Sequence, residues 1–363
     1  MVCAACSPAT AQTEATPTLN DPSLLLAQAQ QADAPALVLN GSNLIAAWVG
    51  GDERGIHQDA RRFVDGTLRD AVTLPLPPTR PYAQVLVAGL PGQTHLLWLD
   101  ADEAGLTRLY TALLATDLSV IRGPVAISDG LALEFSTVTD GAGGLWSAWS
   151  GGMVAEPLIY VRRSDDEGRP LLQTMTIGSG EHPALLRGAD GVVWSFWLGN
   201  GELRRQRVDT PNATAQSLTG TISLTPGDQL VNVRAALDAT SGYFFWNVTR
   251  ANGMNETWWT SGALNANAWR QPERLTSETG NALRWAAPVS TLLDFAAAAA
   301  ASDAGLGVVT FREGRVAGYK LVVPGVRLIG MPTLITDAQD NYALAWAAPA
   351  TPSADLSLLT VPR

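Results

Sequence analysis

Along the chain, short apolar runs alternate with turn-forming residues, and the same order returns seven times. Each unit opens on a brief apolar strand, as at residues 36–39, 135–139 and 233–237. A turn rich in Asp, Gly, Asn or Ser follows, and then a second apolar strand that ends on an aromatic residue. Those aromatics are Trp48, Trp98, Trp149, Trp197, Trp246, Phe311 and Trp346, spaced by 50, 51, 48, 49, 65 and 35 residues. A long sixth unit therefore precedes a short seventh one. Asp140-Gly141, Asp190-Gly191, Asp238, Asp303 and Asp337 stand seven to nine residues ahead of their aromatics. A hairpin needs such residues there, to bond its own backbone and to accept positive φ. Third strands are predicted at residues 158–163 and 202–208, and the best helix candidate is residues 22–32.

Strand and hairpin repeating at about 50 residues predict an all-β chain, a β-propeller of about seven four-stranded blades, with six or eight as alternatives. One blade alone cannot bury both faces of its sheet, whereas blades stacked round an axis cover one another. The repeated aromatics are the expected filling between blades. Residues 23–363 are read as one propeller domain and residues 1–22 as a flexible tether. The long sixth unit leaves open an extra blade. It carries four tryptophans off the repeat position, Trp258, Trp259, Trp269 and Trp285, which are the candidates for exposed binding aromatics.

Composition narrows the chemistry. With 46% hydrophobic and 16% charged residues the chain can build a sizeable core and is not a disordered acidic protein. A net charge of −10 without a basic stripe excludes a nucleic-acid partner. Both cysteines, Cys3 and Cys6, fall in the first six residues, so neither a disulfide nor a thiolate metal site is available to the rest. His57, His95 and His182 lack ligand spacing, and neither a metal nor a cofactor is expected. Ala4-Ala5-Cys6 resembles the end of a bacterial lipoprotein signal. That resemblance implies lipidation at Cys6, membrane contact through the lipid only, and a secreted or cell-surface location outside the cytoplasmic membrane.

One turn carries a family likeness. Ser164-Asp165-Asp166-Glu167-Gly168-Arg169-Pro170-Leu171 resembles the Asp-box (BNR repeat) of sialidase-like propellers, with Leu171 where Trp or Phe is usual. The resemblance implies a structural role for Ser164, Asp166 and Gly168 in the turn between third and fourth strands. A more worn copy runs from Trp258 to Pro272 and keeps Trp269. A sialidase-like site would hold three arginines, a Tyr–Glu pair and an acid/base carboxylate. Arg80, Arg234, Arg312, Tyr82, Glu134 and Asp52 are the residues available for it at the axial mouth. No compact catalytic constellation is legible. The expectation is a non-catalytic binding or scaffolding module for a glycan or protein partner at the mouth or rim. The alternative is an exo-acting glycoside hydrolase of the sialidase-like superfamily.

Overall fold

The computed structural model describes residues 24–361, apart from 30–33, 54, 65–66, 78–79, 102–104, 154, 211–212, 222–223, 267, 278, 292, 337–340 and 351–352. Cys6, the tether and Asp337 lie outside the described residues, as does the side chain of Asp52. The strands form seven antiparallel sheets, and the protein is a seven-bladed β-propeller. Blades 1 to 6 cover residues 36–73, 81–126, 134–179, 181–221, 229–274 and 284–324. Blade 7 combines residues 333–361 with the strand Leu24–Ala29. First strands of successive blades touch in order, and that of blade 7 touches that of blade 1, which closes the ring.

The burial of each strand follows its distance from the axis. The second strand of blade 2, Gln93–Ala101, is buried at seven consecutive positions, because neighbouring blades cover both its faces. Its outermost strand, Val120–Ala126, is mostly exposed. This explains why second strands read as unbroken apolar runs. Six repeat-position tryptophans are between 0% and 4% exposed, so they are inter-blade core.

Two expectations change here. Residues 22–32 contain no helix among those described. Leu24–Ala29 is instead the outermost strand of blade 7, antiparallel to Ala354–Val361. The local pattern is ambiguous at this length, and pairing with the other end of the chain decides it. It also covers an edge that would otherwise be open.

The second change is in blade 6. Its second strand is Ala296–Ser302, an alanine run without an aromatic, and Phe311 lies on the third strand, opposite Ala296. The 65-residue and 35-residue spacings arise from this displacement, and no extra blade is present among the described residues. Asp303 accordingly sits between second and third strands rather than before the second. Space beside the alanines is filled by Tyr243, Phe245 and Trp259 of blade 5 together with Phe311.

The hairpin carboxylates act as the spacing implies. Asp140 Oδ1 accepts the amides of Ala142 (2.8 Å) and Gly144 (3.0 Å), and Asp238 Oδ1 accepts those of Thr240 (2.8 Å) and Ser241 (2.7 Å). The Asp-box-like turn lies between the third and fourth strands of blade 3, but its capping carboxylate is Asp165, not Asp166. Asp165 Oδ1 accepts the amides of Glu167 (2.9 Å) and Arg169 (2.7 Å), while Asp166 is exposed. Asp165→Ala is therefore expected to cost about 1–2 kcal/mol, and Asp166→Ala within about 0.5 kcal/mol of nothing, in paired thermal-unfolding measurements. The reverse order would restore Asp166 as the cap.

Candidate functional site at the axial mouth

One face of the ring carries the beginnings of the first strands, the turns from second to third strands, and the crossovers between blades. At this face, the first strands of blades 2, 4 and 6 share one irregularity. Their pairing slips between Tyr82 and Val85, between Glu181 and Ala184, and between Arg284 and Ala287. In each slip the second residue is a non-glycine in the left-handed region: Ala83 (φ 52°), His182 (φ 55°) and Trp285 (φ 57°). Such a residue costs about 1–2 kcal/mol in backbone strain. Bulges of this kind re-aim side chains and recur beside functional sites.

The bulge of blade 4 assembles the central cluster. Gly180 feeds it at φ 144°, where a Cβ would stand 2.0 Å from the Leu198 carbonyl oxygen, so only glycine fits. His182 follows, and its Nδ1 lies 2.6 Å from Glu134 Oε2 at the start of the first strand of blade 3. Its Nε2 lies 3.9 Å from Glu181 Oε2. The imidazole is 8% exposed and Glu134 42%, so the carboxylate faces solvent while the ring is held behind it. The Leu185 N–H donates to Ser136 Oγ (2.9 Å), which locks the two first strands together.

Arg234, on the first strand of blade 5, adds a cation to this pair. Desolvation pulls its pKa below the usual guanidinium value, while the Glu134 carboxylate opposes that shift. Its surface is nevertheless exposed. Its guanidinium donates from Nη1 to the Val233 carbonyl (2.8 Å), which leaves its other N–H groups free to face the axis. Three consecutive blades thus present a carboxylate, an imidazole and a guanidinium to one space. Such a set can grip an anion and can hold or move a proton.

Other predicted residues are placed apart. Arg312 lies in the turn from third to fourth strand of blade 6, on the opposite face, paired with Asp294 at 3.0 Å. The displaced aromatic of blade 6 made it look like a mouth residue. The Tyr82 hydroxyl donates to Thr107 Oγ1 (3.2 Å) and its ring packs against the core between blades 2 and 3. Arg80 is exposed at the rim, its backbone N–H donating to Asp100 Oδ1 (3.0 Å).

Of the four off-repeat tryptophans, Trp259 (3% exposed) and Trp269 (6%) belong to the core. Trp258 is half-buried under Arg250, 5.5 Å from its guanidinium, and donates its indole N–H to Glu256. Trp285 lines a cavity. Among the described residues no group of His, Cys, Asp and Glu could hold a metal ion. Sequence reading placed Glu134 and Arg234 at the mouth and considered His182 only as a metal ligand. Its place depends on a left-handed bulge for which Glu181-His182-Pro183 carries no recognisable signal.

No protein-family model and no curated protein sequence matches the chain. Among solved structures, it resembles a PL25 ulvan lyase bound to -[GlcA(1-4)Rha3S]-, at 11% identity and a TM-score of 0.64, over 93% of this chain and 96% of that one. It also resembles the polysaccharide lyase Uly1, at 9% identity and a TM-score of 0.57, over 93% of this chain and 91% of that one. The NanB sialidase of Streptococcus pneumoniae superposes less well, at 11% identity and a TM-score of 0.47, over 94% of this chain and 70% of that one. At such identities the likeness is one of fold: this chain is built on the same propeller architecture as polysaccharide lyases.

Proposed function

We propose that the axial mouth binds an anionic glycan, with Arg234 taking a carboxylate or sulfate of the sugar. The observation that carries this reading is the Glu134–His182–Arg234 cluster on the first strands of three consecutive blades, with Arg234 exposed and under the influence of the Glu134 carboxylate. A planar guanidinium suits a carboxylate in two-point contact, and exclusion of bulk water strengthens the contact. Glu134 and His182 then offer an acceptor and a ring nitrogen to neighbouring hydroxyls. The propeller fold shared with polysaccharide lyases supports a saccharide over a protein ligand.

The 2.6 Å approach of His182 to Glu134 favours a second reading, catalysis at the same place. A histidine beside a carboxylate can take a proton, and Arg234 can neutralise a uronate carboxylate while the α-proton leaves. In elimination the C–H bond next to the carboxylate and the C–O bond to the leaving sugar break, a C=C bond forms, the proton passes to the base, and the departing oxygen takes the C–O electron pair and a proton from water to become a hydroxyl. Hydrolysis would instead draw on Glu134 and Glu181 as paired carboxylates.

One experiment separates these readings. The purified protein is screened on an array of neutral, uronate-bearing and sulfated oligosaccharides, and the bound ones are followed for ultraviolet absorbance of an unsaturated uronate and for new reducing ends. Retention of anionic glycans without product is the expected result. Product lost in His182→Ala would replace binding by catalysis, and retention of neutral glycans only would overturn the proposal.

A further inference from the structure

A cavity of about 720 Å³ opens on the mouth face over blade 6, within the size range of ligand sites. Its walls are Trp285 and Arg284 at the bulge, Asp303 from the next turn, Asn255 from blade 5, and Arg327 on the crossover to blade 7. All of these elements belong to the face that carries the Arg234 cluster. Trp285 is half-buried, leaving part of its ring available. Arg284 is matched by Asp303 at 3.1 Å, whereas Arg327 is exposed and has no carboxylate partner among the described residues. Asn255 Oδ1 accepts the Thr249 hydroxyl (2.7 Å), which leaves its amide donors for a ligand.

The cavity is tied to the mouth by a buried amide. Asn247, 2% exposed, accepts the Ala286 N–H on Oδ1 (3.2 Å) and donates from Nδ2 to Asn232 Oδ1 (2.6 Å). Ala286 follows Trp285, and Asn232 stands two residues before Arg234 on the same strand. One side chain thus holds both the strained tryptophan and the strand that carries the channel arginine. Strain kept at an aromatic that fills no core is the mark of a residue positioned for a ligand.

We infer that this cavity is a second sugar site. The Trp285 ring lies under the apolar face of a pyranose, and Arg327 and Asn255 meet its anionic and hydroxyl substituents. The protein therefore holds an extended anionic chain across the face rather than a single terminal sugar. This inference rests on the glycan reading of the mouth and adds the length of the ligand to it.

The test is calorimetric titration of the full chain with oligoglucuronates and oligogalacturonates, each as disaccharide, tetrasaccharide and hexasaccharide. Affinity is expected to rise about tenfold from disaccharide to hexasaccharide, as one stacked ring and one ionic contact allow. Trp285→Ala should erase that gain while leaving disaccharide affinity within about twofold, Trp285→Phe should keep most of it, and Arg327→Ala should halve it in logarithmic terms. Arg327 is exposed, so its variant reports on the site even if Trp285→Ala proves unstable. Disaccharide binding with no gain on lengthening, or a gain that survives both alanine variants, overturns the second site and leaves the mouth standing. Absence of binding by any of these ligands overturns both.

Discussion

Arg234→Gln is expected to weaken binding of an acidic oligosaccharide by about tenfold to a hundredfold, because a hydrogen bond to a charged group contributes about 1.5–3 kcal/mol. The loss should be in binding and not in folding. Its side chain is exposed and fills no core, so the melting temperature should stay close to that of the parent. Arg234→Lys keeps a positive charge but not the planar fork, so an intermediate affinity is expected. Calorimetry and thermal melts on the three proteins decide the matter. Unchanged affinity in Arg234→Gln would remove the arginine from the site, and a collapse in melting temperature would make it a structural residue.

Phe311→Ala is expected to destabilise the protein by about 3–5 kcal/mol, as truncation of a buried aromatic does. Phe311 is fully buried, and its ring centroid stands 5.2 Å from Trp259, 5.3 Å from Phe245 and 5.4 Å from Tyr243. All three partners come from blade 5, so this ring joins two blades. The cavity left behind has little means to close. Its partner on the second strand is the small Ala296, and Tyr243 is pinned through its hydroxyl, which donates to Asp238 (2.6 Å) and accepts the Gly314 N–H (2.9 Å). Phe311→Leu keeps most of the volume and should lose less than about 1.5 kcal/mol. Urea unfolding of both variants measures the difference. A Phe311→Ala protein as stable as the parent would mean that the blade 5–6 interface does not depend on this ring.

Much of the fold was legible because its signals are local. Asp140 and Asp238 cap their own hairpins through amides two to four residues away, so a window of about five residues contains the whole device. Trp149 and Trp197 mark second strands because a strand covered on both faces must be apolar throughout. The exceptions come from compensation between neighbours. Ala296–Ser302 has no aromatic because blade 5 supplies the volume, and no window within blade 6 can report that. Leu24–Ala29 could not be distinguished from a helix, since its partner lies more than 300 residues away. Asp165 displaced Asp166 as the turn cap by one position, a difference that depends on the backbone angles of the turn rather than on residue type.

For the mouth, the sequence determined which residues begin the first strands, and so which side chains could face the axis: Glu134 and Arg234 were identifiable from the repeat. Only the tertiary structure decided which of them meet. Ring closure brings first strands of different blades within contact distance, and the left-handed bulge at His182 turns its imidazole towards Glu134 of the preceding blade. Within blade 6, the shift of Phe311 to the third strand put Arg312 on the opposite face, and the bulge at Trp285 set its ring against a cavity. A repeat specifies each blade through contacts near in sequence, whereas a site at the axis is made of one or two residues from each blade. Their distances are properties of the closed ring.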